Sequence, residues 1–125
     1  SILAIAGKGL ENDRFAKKNN DKGNQLTIIQ KEIIDEYNKN QGTSIPYINF
    51  RRNIISKNIN LNEMIGKIIK IKNIEIKVID LCEPCNHLQK LLKQENLVKN
   101  LLHKGGIRCE ILKGGKINIG DKIEV

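Results

Sequence analysis

Along residues 68–81 apolar and polar positions alternate: Ile69, Ile71, Ile74, Ile76 and Val78 interleave with Lys and Glu around a central Lys72-Asn73. A period of two is that of a half-buried strand and the Lys-Asn pair suits a turn, so the pattern predicts an antiparallel hairpin. Shorter apolar runs, many bounded by Gly, Asn or Asp, predict further strands at Ile2–Ala6, Leu26–Ile29, Arg52–Ile55, Ile107–Leu112, Lys116–Ile119 and Lys122–Val125. The period becomes helical in Gln30–Asn38, where Ile33, Ile34 and Tyr37 share a face and Gly42 follows the expected end. A second helical stretch runs from His87 to Leu102 on Leu88, Leu91, Leu92, Leu97 and Leu101, with a break near Gln94. Short strands with two or three inserted helices predict a mainly-β fold, a closed or partly open β-barrel, because so few helices cannot cover both faces of a parallel sheet.

No repeat, low-complexity tract or linker divides the 125 residues, so one domain over residues 1–125 is expected. Hydrophobic residues at 39% and charged residues at 29% fit a globular chain and not a disordered one. The balance of 22 Lys+Arg against 14 Asp+Glu gives a net charge of +8, which attracts anions at long range. Nucleic acid is not the expected partner: the basic residues are dispersed, and Phe15, Tyr37, Tyr47 and Phe50 are too few to form a stacking platform. A phosphate-bearing small molecule, or simply a solvated basic surface, suits the charge better. No apolar run approaches the ~20 residues of a membrane span and Ser1–Ala6 is too short for a signal sequence, so a cytoplasmic protein without a membrane partner is expected. An odd count of three cysteines, with Cys82 and Cys85 in a C-x-x-C, points to reduced thiols and not to a disulfide framework.

The candidate chemistry gathers in Asp80-Leu81-Cys82-Glu83-Pro84-Cys85-Asn86-His87, a loop between the strongest strand and a helical pattern. A thiol placed there gains thiolate character from nearby cations or a helix start, the form that acts as nucleophile and metal ligand. Two plainer readings stand beside this one: Cys82 and Cys85 as small apolar fillers at the end of a core strand, or Cys82, Cys85 and His87 with His103 or Cys109 as a structural zinc set. His87 and His103 show no partner pattern. In Phe50-Arg51-Arg52-Asn53-Ile54-Ile55, strand alternation would point Arg51 and Asn53 the same way, toward one phosphate-bearing heterocycle, or leave the arginines solvated on a rim. Gly7–Arg14 lacks the spacing of a nucleotide P-loop and reads as a flexible turn before Asp13-Arg14, in which Arg14 faces an anion or makes a surface ion pair. Gly105-Gly106 and Gly114-Gly115 read as turns between strands.

In chain order, Gly9-Leu10-Glu11-Asn12-Asp13-Arg14, Gln25-Leu26-Thr27-Ile28-Ile29, Phe50-Arg51-Arg52-Asn53-Ile54, Cys82-Glu83-Pro84-Cys85, Gly105-Gly106-Ile107-Arg108 and Gly120-Asp121-Lys122-Ile123-Glu124-Val125 resemble the MOSC domain family, named after the C-terminal part of molybdenum cofactor sulfurase. The resemblance implies a barrel related to that of pyruvate kinase and a role in handling the molybdenum cofactor (molybdopterin) or sulfur. It implies that Cys85 binds molybdenum and is the catalytic thiol, that Arg51, Asn53 and Arg14 contact the pterin and its phosphate, and that Glu83 lines the cofactor. The function implied is molybdenum-dependent reduction of N-hydroxylated small molecules with an external electron-transfer partner. The alternative is a sulfur carrier in which Cys85 takes a persulfide from a cysteine desulfurase. A soft thiolate suits molybdenum and arginine suits phosphate, so the residue chemistry and the resemblance agree.

Overall fold

A computed structural model describes residues 2–6, 9, 10 and 25–125, giving backbone alone for 2, 3, 5 and 10. In chain order the elements are β1 (Ile2–Ile5), β2 (Gly9–Leu10), β3 (Leu26–Gln30), α1 (Lys31–Gln41), β4 (Ile54–Ser56), β5 (Ile68–Ile71), β6 (Ile74–Leu81), α2 (Asn86–Leu91), α3 (Leu97–Asn100), β7 (Ile107–Lys113), β8 (Gly115–Ile117) and β9 (Ile123–Glu124). Two 3₁₀ turns, Tyr47–Phe50 and Leu61–Met64, complete them. One sheet has the order β2-β1-β8 and a curled six-stranded sheet has the order β4-β3-β7-β6-β5-β9, a mainly-β, partly open barrel as expected.

The alternating segment is a hairpin, with Ile69 opposite Ile76 and Ile71 opposite Ile74. It turns at Lys72, whose φ is 56°. Period-two alternation also divides β3. Its Leu26 and Ile28 enter an inner core with Leu61, Met64, Ile69, Ile71, Ile74, Ile76, Val78, Ile107, Cys109 and Ile111. Ile29 instead faces an outer cluster of Ile34, Tyr37, Phe50, Leu88, Leu97 and Leu101, through which the helices cover this side of the sheet.

Element boundaries moved where backbone geometry overrode the apolar pattern. The helix α1 continues to Gln41 and ends on Gly42, whose φ of 65° lets its N–H reach Asn38 O. The later helical stretch, by contrast, breaks where expected, between Leu91 and Leu97, around Lys93 with φ 55°. Gly9–Leu10, read as part of a flexible turn, pairs with β1 instead. β4 starts at Ile54, later than expected, because Arg51 ends the preceding 3₁₀ turn in the left-handed region at φ 61° and donates its N–H to Ile48 O.

Gly114 is not a reversing turn. It stands between β7 of the larger sheet and β8 of the smaller one, and a Cβ there would lie 2.4 Å from Ala4 O. A side chain would push apart the two layers that this residue joins.

Ile76 is fully buried and Ile68, on the same hairpin, is 42% exposed. Ile76→Ala is expected to lower the unfolding free energy by roughly 2–5 kcal/mol, within the range for a large core side chain cut to alanine. Ile68→Ala should cost about 0.5 kcal/mol or less. Equal shifts of the two denaturation midpoints would contradict this assignment of core and surface.

Candidate functional site

The ladder between β6 and β7 runs up to Leu81 opposite Ile107, and Cys82 N–H extends it by donating to Gly106 O at 2.8 Å. From there the chain runs through buried Pro84 to Cys85, which precedes α2 in extended conformation with φ −120° and ψ 161°. Cys85 Sγ accepts the Leu88 N–H at 3.4 Å. The three thiols are free and differ in access: Cys85 is exposed, Cys82 half-buried and Cys109 buried. Burial pushes the Cys109 thiol up to about 12, with smaller contributions from Cys82 and Asp80. Burial also raises the Cys82 thiol, opposed by the Arg52 and Arg108 guanidinium groups. Cys85 is therefore the thiol that an external ligand or reagent reaches first.

Arg51 is exposed and lies outside β4, so strand alternation does not align it with Asn53. Asn53 is fixed by Thr27: its Oδ1 accepts Thr27 N–H at 2.8 Å and Thr27 Oγ1–H at 3.1 Å, and its own N–H donates to Thr27 Oγ1 at 3.0 Å. These bonds carry the parallel β3–β4 pairing one step past Ile28 and Ile54. Arg52, the neighbour that the sequence singles out least, is half-buried and turns inward. Its Nε donates to Gly105 O at 2.8 Å, and its Nη1 and Nη2 donate to Phe50 O and Cys82 O, each at 3.3 Å.

Glu83 lies beside Cys85 in sequence, but both of its carboxylate oxygens engage His103. Oε1 accepts the His103 N–H at 2.7 Å and Oε2 is 2.7 Å from His103 Nδ1. His103, without a partner pattern in the sequence, thus has one in the fold, and its carbonyl accepts Asn62 Nδ2–H at 2.8 Å. Arg108 and Asp80, opposite each other on β7 and β6, form a two-pronged pair with both contacts at 2.7 Å. Only the strand register makes that pair visible, and the close approach at Gly105, read in the sequence simply as a turn, likewise appears only in the fold.

Arg14 lies outside the described residues. Among the described residues no three His, Cys, Asp or Glu side chains are grouped to hold a metal, so the zinc reading finds no ligand set. A small cleft of about 110 Å³ between α1 and the end of α3 is lined by Glu36, Tyr37, Leu101 and Lys104 among others, and by no residue of the Cys85 loop. Among the described residues no helix is long and apolar enough to cross a membrane. An accessible soft sulfur at Cys85, an exposed guanidinium at Arg51 and a carboxamide held in one orientation at Asn53 are a donor set that fits a metal carrying a phosphate-bearing ligand.

A family model described as the MOSC domain matches residues 16–124. Curated proteins yield no match. Among solved structures, YuaD protein from Bacillus subtilis is similar at a TM-score of 0.83 and 19% identity, over 98% of this chain and 82% of that one. YiiM from Geobacillus stearothermophilus is similar at 0.75 and 17%, over 82% of this chain and 54% of that one. YiiM from Escherichia coli gives 0.75 and 17%, over 99% and 61%. The chain thus spans less than two thirds of either YiiM protein, and at these identities the likeness is one of fold.

Two outcomes follow from the thiol and charge geometry. Under native conditions iodoacetamide should label Cys85 first, Cys82 more slowly and Cys109 only after unfolding, as followed by peptide mass spectrometry; early labelling of Cys109 would refute the burial order. The Arg108 guanidinium, through its hydrogen bonds, holds the Asp80 carboxyl below the ordinary 3.8, against a smaller effect of burial. A lowered folded-state value means stability present above about pH 4 and lost as pH falls further. Because Asp80 and Arg108 side chains are 47% and 38% exposed, Asp80→Asn should cost about 1 kcal/mol or less at pH 7. The difference in melting temperature between wild type and variant should shrink progressively as the pH falls below about 4; a constant difference would remove the pair from the acid response.

Proposed function

The chain belongs to the MOSC domain family, and on that footing we propose that it is a molybdenum-cofactor-binding protein in which Cys85 ligates the metal. The observation that carries the reading is the one exposed thiol among three cysteines, held at the end of a strand-anchored loop. Arg51 and Asn53, with Arg14, are the groups we assign to the pterin and its phosphate. Glu83, next but one to Cys85, is assigned to the lining of the cofactor, with its carboxylate held in place by His103. The bound cofactor would supply oxygen-atom transfer, which in this reading reduces N-hydroxylated compounds with electrons from an external donor. The chain's own residues then act by position and charge: Cys85 offers the sulfur, Arg51 balances the phosphate, and Asn53 presents a carboxamide that Thr27 has already oriented. We take residues 1–125 as one such domain and, since its cysteines are unpaired, assign it to the reducing cytoplasm.

The exposure of Cys85 also favours a second reading, a sulfur carrier whose persulfide a cysteine desulfurase can reach directly. Protein purified from a host that makes the cofactor is expected to contain molybdenum and pterin, and Cys85→Ser to lose the molybdenum. Repeated preparations of wild type with neither would overturn the first reading. The second then requires a mass gain of one sulfur atom on wild type, and none on Cys85→Ser, after exposure to a desulfurase and cysteine.

A further inference from the structure

We propose that Arg52 is the positioning residue of the Cys85 loop, acting through backbone carbonyls and never touching the ligand itself. Its guanidinium ties together three segments distant in sequence: Phe50 at the end of the 3₁₀ turn, Cys82 at the start of the loop, and Gly105 in the turn before β7. A planar guanidinium spreads its donors over several edges and so reaches these three carbonyls at once, whereas a lysine ammonium carries its three donors on a single atom. Glycine at 105 makes the arrangement possible. A Cβ there would lie 2.2 Å from Cys82 O and 3.0 Å from both Pro84 N and Pro84 Cδ, so any side chain would separate the carbonyls that Arg52 joins.

The bond to Cys82 O fixes the first peptide of the loop, and buried Pro84 restricts the path from that peptide to Cys85. At the next residue, Glu83 is held by His103. The loop therefore has one anchor at Arg52 and another at His103, and the first also keeps Cys82 half-sheltered. That the positioned sulfur serves a metal rests on the cofactor reading. That Arg52 sets the loop does not, so the two are tested separately.

The experiment measures iodoacetamide labelling of the three cysteines in cofactor-free wild type, Arg52→Lys, Arg52→Gln and Gly105→Ala, below each variant's unfolding midpoint. Cys109, in the inner core, reports global opening. Loss of charge-assisted bonds should raise the population of the opened loop, and so the Cys82 labelling rate, by roughly ten-fold or more while Cys109 stays unlabelled. Arg52→Lys should give most of the effect of Arg52→Gln. A Cys82 rate equal to that of wild type in both Arg52 variants would overturn the proposal. So would parallel acceleration of Cys82 and Cys109, which would make Arg52 a residue of general stability. In protein from a cofactor-replete host, Arg52→Lys should carry less molybdenum than wild type. If wild type carries none, the cofactor reading fails while the labelling result still decides the role of Arg52.

Discussion

The pairing of β6 with β7 is the interaction on which both the core and the site depend. It aligns Ile76 with Ile111 and Val78 with Cys109, which directs these side chains into the inner core. A slip of one residue would bring Lys77 and Glu75 inward in their place. The same ladder ends at Leu81 and Ile107, and there the two strands do not diverge at once: Cys82 N–H still reaches Gly106 O. The candidate site is therefore the frayed end of the barrel's central ladder, and the register that fills the core also decides where Cys85 begins its loop. The break in regularity between Val78 and Asp80 lies one turn of the pleat before this end and brings Asp80 opposite Arg108.

The hairpin and the helices were legible in the sequence because their signals are local. Alternation in 68–81 needs nothing beyond its own residues, and the Leu spacing of 87–102 announces both a helical stretch and its interruption. The loop around Cys85 could be marked for the same reason, since Pro84 and the neighbouring patterns lie within a few positions of it. What the sequence hid is non-local. Arg52 meets Cys82 across 30 positions and Gly105 across 53, and Glu83 meets His103 across 20. A string of residues carries no mark of which arginine of an adjacent pair turns inward. The choice fell to backbone geometry: the left-handed φ of 61° at Arg51 ends the 3₁₀ turn and sends the next side chain toward the sheet.

The site is built mainly from side chains that hold backbone. Asn53 completes a parallel ladder, Glu83 secures His103, and Arg52 gathers three carbonyls. Cys85, exposed at the end of its loop, is thus placed by contacts made elsewhere in the fold. Such a division of labour suits a protein whose chemistry resides in a bound group, because the chain then has to supply placement more than reactivity.

Gly114 gives the architecture a different kind of coherence. β7 and β8 are in effect one strand with a corner, half in each sheet, and the corner is filled by the backbone of β1. One continuous thread of backbone therefore belongs to both sheets and reaches, at its other end, the turn whose Gly106 O accepts Cys82 N–H.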